Sequence, residues 1–449
     1  MKEEELPRLE ATRTLERMKG AAAAALCGLA VLTAPFAAAA AEQDAAAGTL
    51  QVFIGTSGNA SILAFALDPT TGVLVRAGDG QPAASVHKHR SWQAVHPQLP
   101  VLYSADGGGS QVSAWQIGRS GMLSALGAAA GVAAGPNFVA PVLDDDTART
   151  TVIASAYGAG AVVVIQTDKA GALQDSVVTI NHTGHSKCPR PIPPKDRQQS
   201  PHPHGIFAHP LHPTHIFVPD LGLDQLFHYR LRRGVLSPFD AQPTVDAPPC
   251  SGPRHLTFSA NSKWILLLHE IANTISVHSL DAESGMVGSH PLSSVSTLPD
   301  GWGYCDVTNM TASKCSKAAE IRLLPLASPA MSAVYASNRG HNSLLLLHLN
   351  EESGELATVA FSNGLVWPRA VAVLPDPRGV ARGQRSGLVI AAACGGDCNR
   401  QDGSQPGELV VFEADAADGR LVEMSRLSVG DAQPISVVVV SIPSDEDDA

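Results

Sequence analysis

Nine side chains stand out by type and by their place in the pattern of the chain: His202, His204, Asp220, Arg254, His255, Glu270, Glu320, Arg339 and Arg369. Together they offer imidazole, carboxylate and guanidinium. Imidazole is the side chain whose ordinary titration falls nearest neutral pH, so it suits proton transfer. Guanidinium carries fixed positive charge in a planar fork, which fits a developing oxyanion or the paired oxygens of a carboxylate or phosphate. Such a set suits attack of an activated water on a carbonyl carbon. A carboxylate beside arginines stays ionised and is a weak base, so His204 is the expected base and Glu270 would orient it or an arginine. No G-x-S-x-G elbow or other nucleophile motif accompanies the set, which favours direct water attack over an acyl-enzyme. The cysteine spacings match no zinc pattern and no histidines stand beside them, so neither a metal nor a cofactor is expected. His209, His212, His215 and His228 fall in turns or at alternate strand positions and read as structural.

These groups are far apart in the chain, so the elements around them must bring them together. Residues 201–230, PHPHGIFAHPLHPTHIFVPDLGLDQLFHYR, read as three short strands: short apolar runs bounded by Gly, Pro and Asp. His202 and His204 open the first strand, and Asp220 ends its antiparallel neighbour. Those two points share one edge of a sheet. The same unit recurs, with inner-strand starts at Ser91-Trp92-Gln93, Pro136-Asn137, Pro203-His204, Pro253-Arg254, Ala319-Glu320 and Pro368-Arg369. A last start, Pro434-Ile435, is followed only by SVVVVSI, while Thr49–Leu74 lacks a first strand. Units of roughly 45–65 residues with about four strands each are the sequence form of a β-propeller. The expected fold is therefore all-β: a seven-bladed β-propeller whose first blade is closed by the C-terminal strand, which also removes two free edges. Strand starts and second-strand ends then meet on one face around the axis, and the nine residues fall on that face. Two long stretches, 181–200 and 287–317, enter inner strands and so overhang it, which is where function is usually carried.

The 449 residues would constitute a targeting segment and linker at 1–48, the propeller at 49–442 and an acidic solvated tail at 443–449. A net charge of -11 without a basic stripe argues against a nucleic-acid partner. Residues 20–41 are small and apolar and end in an Ala-rich stretch, as a cleaved signal would if translation starts at Met18. A plastid-type bipartite signal and a disordered tail are the other readings. Export follows from the signal reading and a cytoplasmic location from its failure; no later segment is long and apolar enough to span a membrane. Beyond Cys27, six cysteines remain, an even number that suits disulfides in an exported chain. The pairs expected from proximity are Cys305 with Cys315 and Cys394 with Cys398, leaving Cys188 with Cys250. Asn59, Asn181 and Asn309 stand in glycosylation sequons. A monomer is expected.

Residues 197–205 (RQQSPHPHG), 218–226 (VPDLGLDQL), 252–255 (GPRH), 269–277 (HEIANTISV), 318–321 (AAEI), 337–343 (SNRGHNS) and 367–370 (WPRA) carry a resemblance in their order. The set resembles the lactonase family of seven-bladed propellers, which includes propeller-type 6-phosphogluconolactonases and fungal carboxymuconate-lactonising enzymes. The resemblance implies that His204, Arg254, Glu270 and Arg339 are catalytic. His202, Asp220, His255, Glu320 and Arg369 would then bind substrate. Two departures from the family pattern are His269 before Glu270 and Asn342 after Arg339, where Asn and Asp are usual. The implied activity is hydrolysis of a sugar lactone. A lactonising enzyme acting on an unsaturated dicarboxylic acid and a non-catalytic ligand-binding propeller are the other readings. The implied partner is a small-molecule lactone or organic acid.

Overall fold

In a computed structural model of the protein, the described residues are 49–57, 61–85, 91–144, 149–189, 197–304, 314–376, 379, 383–398 and 405–442. The expectations for residues 1–48 and 443–449 lie outside them. The chain forms seven sheets of four or five strands, antiparallel except for a short pairing of Gly303–Tyr304 with Cys315–Ser316. Inner strands of successive sheets pack side by side: Pro434–Ile442 against Ser91–Val95, that strand against Pro136–Asp144, and Pro253–Phe258 against Cys315–Pro325. Cys315–Pro325 in turn meets Pro368–Pro375, which returns to Pro434–Ile442 and closes the ring. The fold is the expected seven-bladed propeller.

Burial explains the strand sequences. Strands inside a blade are covered on both faces and read as continuous apolar runs, such as Ala161–Thr167 (AVVVIQT) and Ser343–Asn350 (SLLLLHLN). Outermost strands such as Leu173–Asn181 are mostly exposed or half-buried and carry polar residues. The first blade is closed as expected. Pro434–Ile442 pairs antiparallel with Thr49–Thr56 along its length, and the Ser436 hydroxyl links Gly55 N–H to the Gln93 side chain of the next blade.

Two devices aim side chains at the axis. The first is a β-bulge near the start of five inner strands. One leaves Ile435 out of the ladder between Pro434 and Ser436; the other register slips fall at Pro136/Phe138, Pro253/His255, Ala318/Ile321 and Pro368/Ala370. Asn137, Arg254, Ala319, Glu320 and Arg369 are thus the residues left out of the ladder at those four, and a bulge re-aims such a side chain. The second is a left-handed turn residue at Asp224, Asn273 and Asn342, with φ of 54°, 53° and 59°. The side-chain oxygen of each accepts a backbone N–H at the next blade's inner strand: Gly252 at 2.8 Å, Ala318 at 2.8 Å and Trp367 at 2.9 Å. Asn and Asp tolerate this conformation better than other non-glycine residues.

Two strand starts differ from expectation. The fourth blade's inner strand does not run from His202; Pro203 makes a lone bridge to Asp220 and the ladder proper is Phe207–Ala208. Pro201 and Pro203 have no N–H to give, and the His202 N–H goes to the Asp220 carboxylate at 2.7 Å. The sixth blade's inner strand begins at Cys315, so Ala319-Glu320 lies inside it, at the bulge. Cys188–Cys250 and Cys394–Cys398 are disulfides, and Cys315 is also disulfide-bonded. Cys305 lies outside the described residues. No helix among the described residues is long and apolar enough to cross a membrane.

Candidate active site

Glu270 is the centre of the polar face. It follows the strand Trp264–His269, and its N–H is held by the Gly252 carbonyl at 2.8 Å. Three guanidinium groups converge on its carboxylate. Arg339 Nη2 stands 2.8 Å and Arg197 Nη2 2.6 Å from Oε1, and Arg254 Nε donates to Oε2 at 2.9 Å. Two of these arginines are fixed from behind by carbonyls of the bulged strand Cys315–Pro325. Arg254 Nη1 donates to Ala319, and Arg339 donates to Ala318 through Nη2 at 2.9 Å and to Lys317 through Nε at 3.3 Å. Burial by itself raises the Glu270 pKa, but Arg197, Arg339 and Arg254 overcome this and hold it well below the usual carboxylate range. Burial, with Arg339 nearby, lowers Arg254 to about 10, so it stays charged at neutral pH.

His204 completes the group, with Nε2 3.9 Å from Glu270 Oε2. Its tautomer is settled by Asn137. The Asn137 amide nitrogen donates to the His204 carbonyl at 3.3 Å, so the same nitrogen, 3.2 Å from His204 Nδ1, is a donor there too. The Ser155 hydroxyl donates to Asn137 Oδ1 at 2.8 Å and holds the amide in this sense. Nδ1 therefore accepts, and Nε2 carries the proton and faces Glu270. Burial, then the charge of Arg254, pushes His204 well below 6.5, so it is neutral at pH 7. This differs from the sequence expectation of a general base. His204 presents an N–H donor to the site and not the lone pair of a general base.

The structure thus brings His204, Arg254, Glu270 and Arg339 to one face. The five residues expected to bind substrate are placed differently. Asp220 is fully buried and its carboxylate is consumed by the N–H groups of His202, Gly222 and Leu223 and by His182 Nδ1 at 2.7 Å. It holds the turn. His202 Nδ1 bonds the Tyr157 carbonyl at 2.9 Å and its ring stacks on Tyr157. His255 Nδ1 bonds Glu320 Oε1 at 2.9 Å, and Arg322 Nη1 reaches the same oxygen at 2.7 Å. Trp92, Phe138 and Phe207 pack edge-on around the His255 ring. His255 and Glu320 hold one another and pack behind Arg254. Arg369 is half-buried, contacts Cys398 Sγ at 3.8 Å, and adds its charge to the depression of His204 and His255.

Sequence reasoning missed Arg197, Asn137, Tyr304 and Lys317. Arg197 comes from the first overhanging stretch and Tyr304 from the second; Arg197 Nη2 bonds both Glu270 and the Tyr304 hydroxyl, the latter at 2.9 Å. The length and place of those two stretches were the signal that could have found them. Asp224 positions Arg197 and Arg254 together. Its carboxylate accepts from the Ser186 hydroxyl and the Gln198 amide on the Arg197 side, and from Cys250, Ser251 and Gly252 N–H on the Arg254 side. The Cys188–Cys250 disulfide ties the same two segments. Lys317 is buried with its ammonium 5.6 Å from the Tyr304 ring centre; burial, then Arg197, lowers it to about 8. Among the described residues no group of three His, Cys, Asp or Glu side chains is arranged to hold a metal ion.

The family profile described as "Lactonase, 7-bladed beta-propeller" matches residues 51–393. The chain belongs to this lactonase family. Among its relatives, a 6-phosphogluconolactonase of Bacillus subtilis is 29% identical over 336 residues, spanning 74% of this chain and 82% of the relative. A probable 6-phosphogluconolactonase of Arthroderma benhamiae is 26% identical over 324 residues, 70% of this chain and 73% of the relative. The structure of a periplasmic gluconolactonase from Pseudomonas aeruginosa superposes with a TM-score of 0.68 at 24% identity, covering 88% of this chain and all of the other. A putative 6-phosphogluconolactonase structure from Bacteroides fragilis gives 0.68 at 20% identity over 89% of this lactonase-family chain and 100% of its own. At such identity these structures establish the shared propeller fold.

Proposed function

We propose that this lactonase-family chain hydrolyses a sugar lactone by direct attack of water, in the manner of a 6-phosphogluconolactonase. The observation that carries the reading is the convergence of three guanidinium groups and a neutral imidazole N–H on one buried carboxylate. Attack of water on a lactone carbonyl puts negative charge on the carbonyl oxygen. Fixed donors in a site closed to water stabilise that charge more than solvent does. Arg254 and the His204 Nε2–H are the fixed donors. Glu270 Oε2 carries one guanidinium where Oε1 carries two, so Oε2 keeps room to accept a hydrogen bond from the attacking water. A carboxylate held this acidic is a weak base. The acceleration therefore comes mainly from electrostatic stabilisation, and the ring C–O bond breaks as the alkoxide oxygen takes the proton of the attacking water.

The B. subtilis relative's name supports a sugar-lactone substrate, and disulfides such as Cys188–Cys250 and Cys394–Cys398 suit an oxidising compartment. The test is turnover of 6-phosphogluconolactone and glucono-δ-lactone by the chain, with spontaneous hydrolysis subtracted. Arg254→Gln should lower kcat by about 100-fold, the usual loss for one oxyanion donor, with the far-UV spectrum unchanged. A folded wild-type chain that accelerates neither lactone would overturn the proposal.

A further inference from the structure

Three positive groups on one carboxylate are more than charge balance needs. Arg254 and Arg339 are sealed, with side chains 1% and 2% exposed, whereas Arg197 is 29% exposed. Arg254 and Arg339 are also fastened to backbone carbonyls; Arg197 bonds Glu270 and Tyr304 through Nη2 and lies beside the Tyr157 hydroxyl. Arg197 can leave Glu270 without stranding it, because two guanidiniums remain. Its backbone is held at φ 62°, a left-handed conformation that costs energy in an arginine and that persists where surrounding structure imposes it. The imposing contacts are next door: Gln198 Nε2 is bonded to the Leu221 carbonyl at 3.0 Å and to Asp224 at 2.7 Å. A rigid support thus presents a partly exposed cation over the site. The surplus of buried positive charge has one simple relief, the arrival of an anion.

We propose that Arg197 is a specificity-determining residue that exchanges Glu270 for an anionic substituent of the substrate, a phosphate or a carboxylate at the end of the sugar remote from the lactone. The proposal rests on the lactonase reading for the identity of the sugar, and its test does not need turnover. The depressed Lys317 fits it, since Arg197 and Arg339 both contribute to the positive field there.

The experiment is calorimetric binding to the full chain of three open-chain sugar acids: 6-phosphogluconate, glucarate and gluconate. The first two carry phosphate or carboxylate at the remote carbon and the third carries neither. Arg197→Gln should weaken 6-phosphogluconate, glucarate or both by roughly ten- to a hundred-fold and gluconate by less than about two-fold. Whichever of the two is weakened identifies the anion, and Arg197→Lys should recover part of the loss. Melting temperatures of both variants check the fold, and the lysine variant carries the test if the glutamine variant fails to fold. Equal weakening of all three ligands, or of none, overturns the proposal. Selective weakening in a chain that turns over no lactone upholds the role of Arg197 and overturns the hydrolase reading.

Discussion

The chemistry of the site turns on where two protons sit. Asn137 fixes the His204 proton on Nε2, and burial beside Arg254 keeps the ring neutral. Glu270 is held ionised by Arg197, Arg339 and Arg254 against the opposing effect of burial. Neither group changes state near neutral pH. A histidine base with the ordinary value of 6.5 would lose about four-fold of its active form between pH 7.5 and pH 6. Here the sign is different: His204 acts as the neutral donor, and its folded pKa lies below that window, so the neutral form persists throughout. Enzymatic kcat, corrected for spontaneous hydrolysis, should change by less than about two-fold from pH 7.5 to pH 6. A four-fold fall centred near pH 6.5 would show that an ordinary imidazole base drives the reaction and that the Asn137 contact does not set the tautomer.

At the level of the element, the fourth-blade turn holds the histidine segment in place. Asp220 takes the N–H groups of His202, Gly222 and Leu223, and the turn leaves no room over Gly222. A Cβ there would sit 1.8 Å from the Ser200 carbonyl oxygen, so the backbone carrying His202 and His204 would have to move. Gly222→Ala should destabilise the protein by about 1–3 kcal/mol and lower kcat by at least about ten-fold, since sub-ångström misplacement is costly in catalysis. Urea unfolding and the lactone assay would check it; a variant with wild-type midpoint and rate would mean that this turn does not position His204. The strand pattern, the seven repeats and the nine-residue polar set were legible in the sequence because apolar runs and strand-end polar groups are local signals; the choice of four among the nine came from the family resemblance. The bulges were not, because a register slip belongs to a pair of strands. The roles of Asp220 and Glu320 were not legible for a related reason: a polar residue at a strand end looks the same whether it faces a ligand or caps a neighbouring backbone. Arg197 was hidden in a long stretch whose path depends on Asp224 and a disulfide remote in sequence, and Tyr304 in a second one that pairs with Cys315–Ser316.

The ring as a whole joins the two ends of the chain, so no blade has a free inner edge and loss of one blade strains its neighbours. Stability withdrawn from one blade is therefore withdrawn from the whole. The fourth and fifth blades hold such a liability in His209, His215, His228 and His269, all buried. His215 Nδ1 bonds His228 Nε2 at 2.9 Å, so the pair has no room for two extra protons. Burial first, and neighbouring His and Arg groups second, lowers His209 and His215 to about 4 and His228 to about 3; burial and His278 lower His269 to about 3. The unfolded chain binds these protons near pH 6.5 and the folded chain does not until about pH 4. Between those values the unfolded state holds more protons, so stability is complete above pH 6.5 and is lost as pH falls toward 4. At about 1.4 kcal/mol for each pH unit per group, the four histidines together predict a melting temperature on the order of 10 °C lower at pH 5 than at pH 7, in one transition. Calorimetry at pH 7, 6 and 5 would measure it. A constant melting temperature would show that these histidines take up protons in the folded ring, and two separated transitions would show that the blades do not melt together.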